Sequence, residues 1–395
     1  MKTRMFWLTM AAALTAAGAA RAAVFNVNST ADAVDAAPGN GVCLTALGVC
    51  TLRAAVQEAN NFPGADTIAL PAGNYVLTIA GGGENASASG DLDVIRDLTI
   101  LGAGRDVTFI DGNNGAGFND GVIDVLGTPM VNIGLTLRDV TVRNGRDVGL
   151  QGGGGINVGD GSLAMYDAAV RDCETQASGG GIDYTSANAP GTLVLENTEI
   201  TGNDALTSVI SALPGGGGGV AIGGGFATAT LTNVRVTGNT VGGGQGGGVL
   251  VWVNATATLT DVTIDGNSAF GEAEPPFDRS MGGGLAVWTA NAILDGVTVS
   301  LNTAHAGGGI GALDGSLVME NVTISGNTAL PIAILPAYPA IGGGIGAIMA
   351  PGFSVTMRGS NWTIADNIAA DGGAIGAVVG APGDFQAFVA NSILA

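Results

Sequence analysis

LTDVTIDGN, residues 259–267, alternates apolar and polar side chains from Leu259 to Ile264 and then turns at Gly266-Asn267. Period-two alternation belongs to a strand with one buried face and not to a helix. The pattern recurs along the chain as LRDVTV (137–142), MYDAAV (165–170), LENTEI (195–200), LTNVRV (231–236), LDGVTV (294–299) and MENVTI (319–324). IRDLTI at 95–100 has the same form, an eighth copy ends in NWTI at 361–364, and a ninth begins at Asn391. Most copies run into a turn such as Gly202-Asn203, Gly238-Asn239 or Gly326-Asn327, with Leu301-Asn302 and Asp366-Asn367 as variants. A glycine cluster and an aliphatic residue then open the next strand, as in 246–249 and 282–285.

The spacing turns this repeat into an architecture. From the aliphatic residue to the next turn Asn is 18 residues (Val249 to Asn267) or 17 (Leu285 to Asn302, Ile310 to Asn327). From turn Asn to glycine cluster it ranges from 5 residues (Asn302 to Gly307) to 15 (Asn267 to Gly282). Insertions confined to one corner mark a solenoid, whose stacked strands stay in register while the loops of one edge vary. The shortest repeat is 25 residues, from Gly296 to Asn321, too short for a propeller blade of about 40. The expected fold is all-β, a right-handed parallel β-helix, the hand following from the general preference for right-handed crossovers.

One column of the repeat is almost purely Asx: Asp97, Asp139, Asp167, Asn197, Asn233, Asp261, Asn321, Asn361 and Asn391, with Gly296 as the exception. Coils stack about 4.8 Å apart, so these side chains are expected to form a hydrogen-bonded ladder. The other reading is that Asp97, Asp139 and Asp167 gather like charge at one end and invite a cation.

Composition supports a folded, acidic chain. There are 69 glycines in 395 residues, clustered and not at every third position, which excludes collagen. The 46% hydrophobic content supplies a large core and argues against disorder. Net charge is -20, and loss of Lys2, Arg4 and Arg21 with a cleaved leader takes it to -23 and leaves no lysine. Ten scattered arginines make no basic stripe, so nucleic acid and anionic membranes are not expected partners.

Lys2 and Arg4, the apolar run 5–17 and Ala20-Arg21-Ala22 have the layout of a secretory signal, with cleavage expected after Ala22. No later apolar run is long enough to span a bilayer. An exported chain meets an oxidising compartment, where Cys43 and Cys50, seven residues apart, read as a disulfide. A metal site is the alternative for that pair, but the single histidine, His305, and the distant Cys173 offer few further ligands. Cys173 itself reads as a small buried apolar residue.

Residues 24–111 resemble the N-terminal module named for its C-S-L-R-E-A motif, found in exported bacterial β-helix proteins. The resemblance rests on residues 28–43, CTLRAAVQEAN (50–60), residues 63–79 and residues 90–104. The later repeats are similar to those of chlamydial polymorphic outer-membrane proteins, whose G-G-A-I stands at 372–375. Their F-x-x-N is here Ile-x-x-Asn or Val-x-x-Asn. After the signal at 1–22, the resemblance implies a capping module at 23–90 and β-helix repeats at 91–395. Where the family has Glu, this chain has Ala54. Thr51 reads as the N-cap of a helix that carries Leu52, Ala55, Val56 and Ala59 on one face, stops at Pro63-Gly64 and covers the first coil. In the family motif Ser and Glu make a capping box, so the loss of Glu is expected to cost about 1 kcal/mol of helix stability and no activity.

The expected function is an exported, secreted or cell-surface scaffold, adhesin-like, that binds a glycan or a neighbouring or host surface protein. A polysaccharide-active lyase or hydrolase is the alternative, and a purely structural surface component a third. No catalytic residue is singled out. His305 lies between two alanines in a tight turn, and Glu196, Asp295 and Glu320 face outward without forming an evident pair. Glu272, Glu274 and Asp278, in the variable loop 268–281, and the apolar loop 329–341 are the expected contact surface. No cofactor is implied; an ion at those acids would be Ca²⁺. The ninth repeat stops at Ala395 with no covering segment, so an open end and end-to-end self-association are expected.

Overall fold

Strands that bury every second side chain need a partner layer, and this chain supplies it by winding. The computed structural model describes residues 22–114, 119–149, 151–206, 215–270, 280–331, 340–349, 352–379 and 384–394. Among them every strand-to-strand pairing is parallel and joins one coil to the next. One coil runs Ile182–Thr185, Gly191–Glu196, Glu199–Thr201 and Asp204–Leu206, and the next begins at Val220–Gly223. The stacked strands form four sheets. Sheet 1 has twelve strands, from Val24–Asn26 to Asp384–Ala390, and sheet 2 has eleven, from Gly73–Val76 to Ile393–Leu394. Sheet 3 has seven very short strands, from Arg146–Asp147 to Thr328–Ala329, and sheet 4 has ten, from Leu92–Val94 to Ile375–Val379. The fold is a parallel β-helix.

The quoted repeats are the strands of sheet 1 and sheet 2. Leu137, Met165, Leu195, Leu231, Leu259, Leu294 and Met319 stack in register on sheet 1 and are fully buried. Each is worth about 1.5–3 kcal/mol of burial.

The Asx column is the corner between sheets 1 and 2, and its cause is backbone geometry. Asp139, Asp167, Asn197, Asn233, Asp261, Asn321, Asn361 and Asn391 all have φ between 49° and 59°. Asx and Gly enter this left-handed region most readily, so Gly296 (φ 67°) obeys the rule it was expected to break. Side-chain bonds within the column join only Asn233 to Asn197 (2.7 Å) and Asn361 to Asn321 (3.0 Å) among the described residues. Asp97 does not belong to the column. Leu98–Leu101 pairs with sheet 1 so that Ile100 meets Leu137, which places Asp97 before its strand, accepting from the Gly134 N–H at 2.9 Å. The motif IRDLTI aligned by pattern with the wrong strand of its coil, and Asp97 is not gathered with Asp139 and Asp167.

The continuous ladder lies at the next corner, between sheets 2 and 3. Asn203, Asn239, Asn267, Asn302 and Asn327 are buried, and each donates Nδ2 to Oδ1 of the following Asn, ending on Asn367, at 2.9–3.0 Å. The backbone N–H of each donates to the same Oδ1, and the second Nδ2 proton meets a carbonyl of the preceding coil, such as Val236 for Asn267. Each amide inside the row is thereby satisfied, as burial requires. Cys173 occupies the position ahead of Asn203, with its N–H on Asn203 Oδ1 (3.1 Å). The glycine clusters explain how the row fits: a Cβ on Gly219 would come within 3.1 Å of the Asn239 amide.

The single helix, Leu52–Asn61, starts at Thr51, whose Oγ1 accepts from the Ala54 N–H (3.2 Å), and ends before Phe62. It packs on Val24–Asn26, Asp66–Ala69 and Leu92–Val94, the first strands of sheets 1 and 4. Its polar face is buried as well. Arg53 pairs with Asp32 (2.6 Å) and donates to the carbonyls of Ser87, Gly90 and Asp91, while Glu58 accepts from the Gly39 and Gly41 N–H groups. Cys43 and Cys50 form a disulfide, and Cys173 is free and buried. Burial pushes the Cys173 thiol up to about 12, so it is inert.

Candidate functional site

Sheet 4 changes character along its length. Its outward row reads, in register, Asp93, Asp124, Asn157, Asp183, Ala221, Leu250, Ala286 and Gly311. The acids at its start are nonetheless buried, with Asp93 1% and Asp124 9% exposed, and Asp91 beside them 5%. Segment 84–91 folds over them: Ser87 N–H donates to Asp93 Oδ2 (2.7 Å), and Arg53 holds the carbonyls of the same segment. Asp91, Asp93 and Asp124 bring one carboxylate oxygen each within 4.8 Å of the others. Burial raises both Asp91 and Asp124, which contact each other directly; repulsion from Asp93 and Asp120 adds to it at both, while the bond between the pair raises Asp91 further and favours the charged form of Asp124. Burial lifts Asp93 to about 6 and Asp183 to about 7. Such a set can hold shared protons or a hard cation, but its depth closes it to a polymer substrate.

An accessible feature lies where sheet 4 turns into sheet 1. Trp252 and Trp288 end consecutive strands of sheet 4 in register, half-buried, their rings stacked at 6.5 Å between centroids with planes 26° apart. Trp252 lies back over Gly223, where a Cβ would come within 2.1 Å of its Nε1, so only glycine admits the indole. That Nε1 is buried and has no hydrogen-bond partner among the described residues, a cost of about 1–3 kcal/mol. Phe226, 52% exposed, stands at the preceding coil's corner.

At the far edge of sheet 1, the Asx corner opens into a groove of about 140 Å³ lined by Arg105, Asp167, Asn197, Thr198, Glu199, Asn233 and Arg235. Arg105 donates to the Asn197 carbonyl (2.9 Å) and pairs with Glu199 (3.2 Å), which also pairs with Arg171 (2.8 Å). Arg235 is exposed and has no ion pair among the described residues. Between shelf and groove run the outward threonines Thr228, Thr230 and Thr232, beside Thr256, Thr258 and Thr260 of the next coil.

No protein-family model matches the sequence, and no curated protein does. Solved structures do share the fold. Pectate lyase Pel9A is 10% identical, with a TM-score of 0.45, covering 95% of this chain and 78% of its own. The mannuronan C-5 epimerase AlgE4 A-module of Azotobacter vinelandii is 14% identical, with a TM-score of 0.37, covering 83% and 91%. The catalytic unit of a GH87 alpha-1,3-glucanase of Streptomyces thermodiastaticus is 12% identical, with a TM-score of 0.33, covering 92% and 67%. At these identities the likeness is one of fold.

Of the residues expected from sequence, Asp167, Asn197 and Asn233 line the groove. Glu272, Glu274 and Asp278 lie outside the described residues, as does most of the apolar loop, 332–339. Asp295 and Glu320 are register neighbours on sheet 1, already bonded to Asn321 and Ser360, and Glu196 is several coils away. His305 is half-buried, and burial lowers its pKa, which keeps it neutral. The tryptophan pair was missed, although GGGVLVW (246–252) and GGGLAVW (282–288) put both residues at one position of adjacent repeats.

Proposed function

We propose that this chain is an exported β-helix scaffold that binds carbohydrate on its lateral surface. The observation that carries the reading is the Trp252–Trp288 shelf, half-buried at the edge of sheet 1. Indoles present an apolar face to the C–H side of a sugar ring, and polar neighbours take its hydroxyls. The signal-like segment and the Cys43–Cys50 disulfide support an oxidising, extracytoplasmic location. The buried acids of sheet 4 are a clamp between the helix-bearing segment and the first coils, and catalysis is no part of this reading.

The test is a set of glycans incubated with the purified chain, read by tryptophan fluorescence and by product analysis. Saturable binding without new chain ends is expected, with loss of the fluorescence change in Trp288→Ala. Bond cleavage would replace the scaffold with a lyase or hydrolase, and no binding to any glycan would leave a protein-binding or purely structural scaffold.

A further inference from the structure

We infer that the carbohydrate is an uncharged oligosaccharide lying across sheet 1, from the Trp252 indole to the groove at Arg235; this rests on the carbohydrate reading above. Trp252 reaches back over Gly223, and Gly223 ends the sheet 4 strand of the coil that continues through Thr228, Thr230 and Thr232 to Asn233 and Arg235. Gly223, beneath the Trp252 indole, and the groove thus lie at the two ends of one sheet 1 strand. The outward threonines between them span ~13 Å at the usual rise per residue, the reach of a short oligosaccharide. They offer hydroxyls and methyls with no bulky side chain, Thr228 and Thr230 being exposed.

Charge decides the class of sugar. At the groove, Arg105, Arg171 and Arg235 are matched by Asp106, Asp167 and Glu199, with Glu199 bridging two of the arginines. The whole chain carries -20, a field that repels polyanions. A balanced set of guanidinium, carboxylate and amide groups donates and accepts in equal measure, which suits vicinal hydroxyls. Arg235, without an ion pair among the described residues, is the donor left over for a ligand.

The experiment titrates the full exported chain with neutral hexasaccharides of glucose, mannose and xylose and with hexagalacturonate, by calorimetry and tryptophan fluorescence. At least one neutral hexasaccharide is expected to bind, with an affinity insensitive to added salt. Trp252→Ala and Arg235→Ala should each weaken it about tenfold, with unchanged circular dichroism because both side chains lie outside the core. Gly223→Ala should displace the indole and shift its emission. If none of the four probes binds, the carbohydrate reading itself falls. If the tryptophan variants lose binding while Arg235→Ala and Asn233→Ala do not, the shelf stands and the path across sheet 1 is overturned. Preference for hexagalacturonate would overturn the uncharged class.

Discussion

The coils before and after Asn203 share one fold and are held together by different chemistry. Before it, the structure relies on charge: all six ion pairs of the described residues lie between Asp32 and Glu199, as do the two contacts of an arginine over a ring, Arg138 on Tyr166 and Arg143 on Phe109. The buried acids of sheet 4 lie there too. After it, charge gives way to the neutral Asn row and to threonine and serine on sheet 2. The winding of the chain is set by the corners, which both regions share, and the cross-coil adhesive is interchangeable.

The largest effect that would sharpen this contrast is Arg53→Ala. It leaves Asp32 buried without its cation and strips three carbonyls of their donor, so a loss of about 3–5 kcal/mol is expected. Hydrogen exchange should rise across 24–94 while 240–330 keeps its protection; a uniform rise would show that the two regions do not unfold separately. Asn267→Ala comes next. It breaks the row on both sides, with bonds to Asn239, Asn302 and Val236, and about 3 kcal/mol should be lost. Denaturant unfolding should show this cost to be the same at low and high salt.

Changing pH should separate the regions more gently. Asp93 and Asp183 are raised by burial to about 6 and about 7, and Asp91 and Asp124 are raised as well. The folded state therefore holds protons that the unfolded chain releases near pH 4. That stability is complete below the ordinary carboxylate range and is lost as pH rises through 6 and 7. Proteolysis within 80–190 should be faster at pH 8 than at pH 5, with 240–330 unaffected. Acceleration at pH 8 that added Ca²⁺ reverses would show that a cation replaces the protons. Smallest of all is Asn321→Gly, at the outer corner. It should change the unfolding free energy by no more than about 0.5–1 kcal/mol, because it loses only the exposed bonds to Asp295 and Asn361 and keeps the backbone conformation that Gly296 adopts one coil earlier, whereas Asn321→Val should cost roughly 1–2 kcal/mol more at a φ of 54°.

Most of the winding was legible because it rests on periodicity. The alternation of Leu259 to Ile264 and the fixed spacing to the turn Asn gave the strands, the coil and the corner that carries insertions. Thr51 and Pro63 bracketed the helix. What failed did so for a reason: Asp97 and Asp139 sit in the same local pattern, and only pairing register separates them. The outer Asx column and the inner Asn row look alike in sequence, since one is demanded by φ and the other by burial of an amide. The acids of sheet 4 and the tryptophan shelf stand side by side only once coils are stacked, so Asp93 and Asp124, 31 residues apart, gave no local sign.

The Asn row also has a direction. From Asn203 to Asn327 each backbone N–H and one Nδ2 proton donate toward the C-terminal neighbour, with every Oδ1 facing the N-terminal one, so the amide dipoles add as peptide dipoles do in a helix. The negative pole lies at the Cys173 end and the positive pole at Asn367. At the first, Asp172 and Glu174 flank Cys173, with Arg146 paired to Glu174 and Arg171 to Glu199, so the charge there is mixed; at the second, Asp366 stands next to Asn367. The row is thus an axial dipole built into the solenoid and complemented by Asp366 at its positive end, where Asp366→Arg would set a like charge against it.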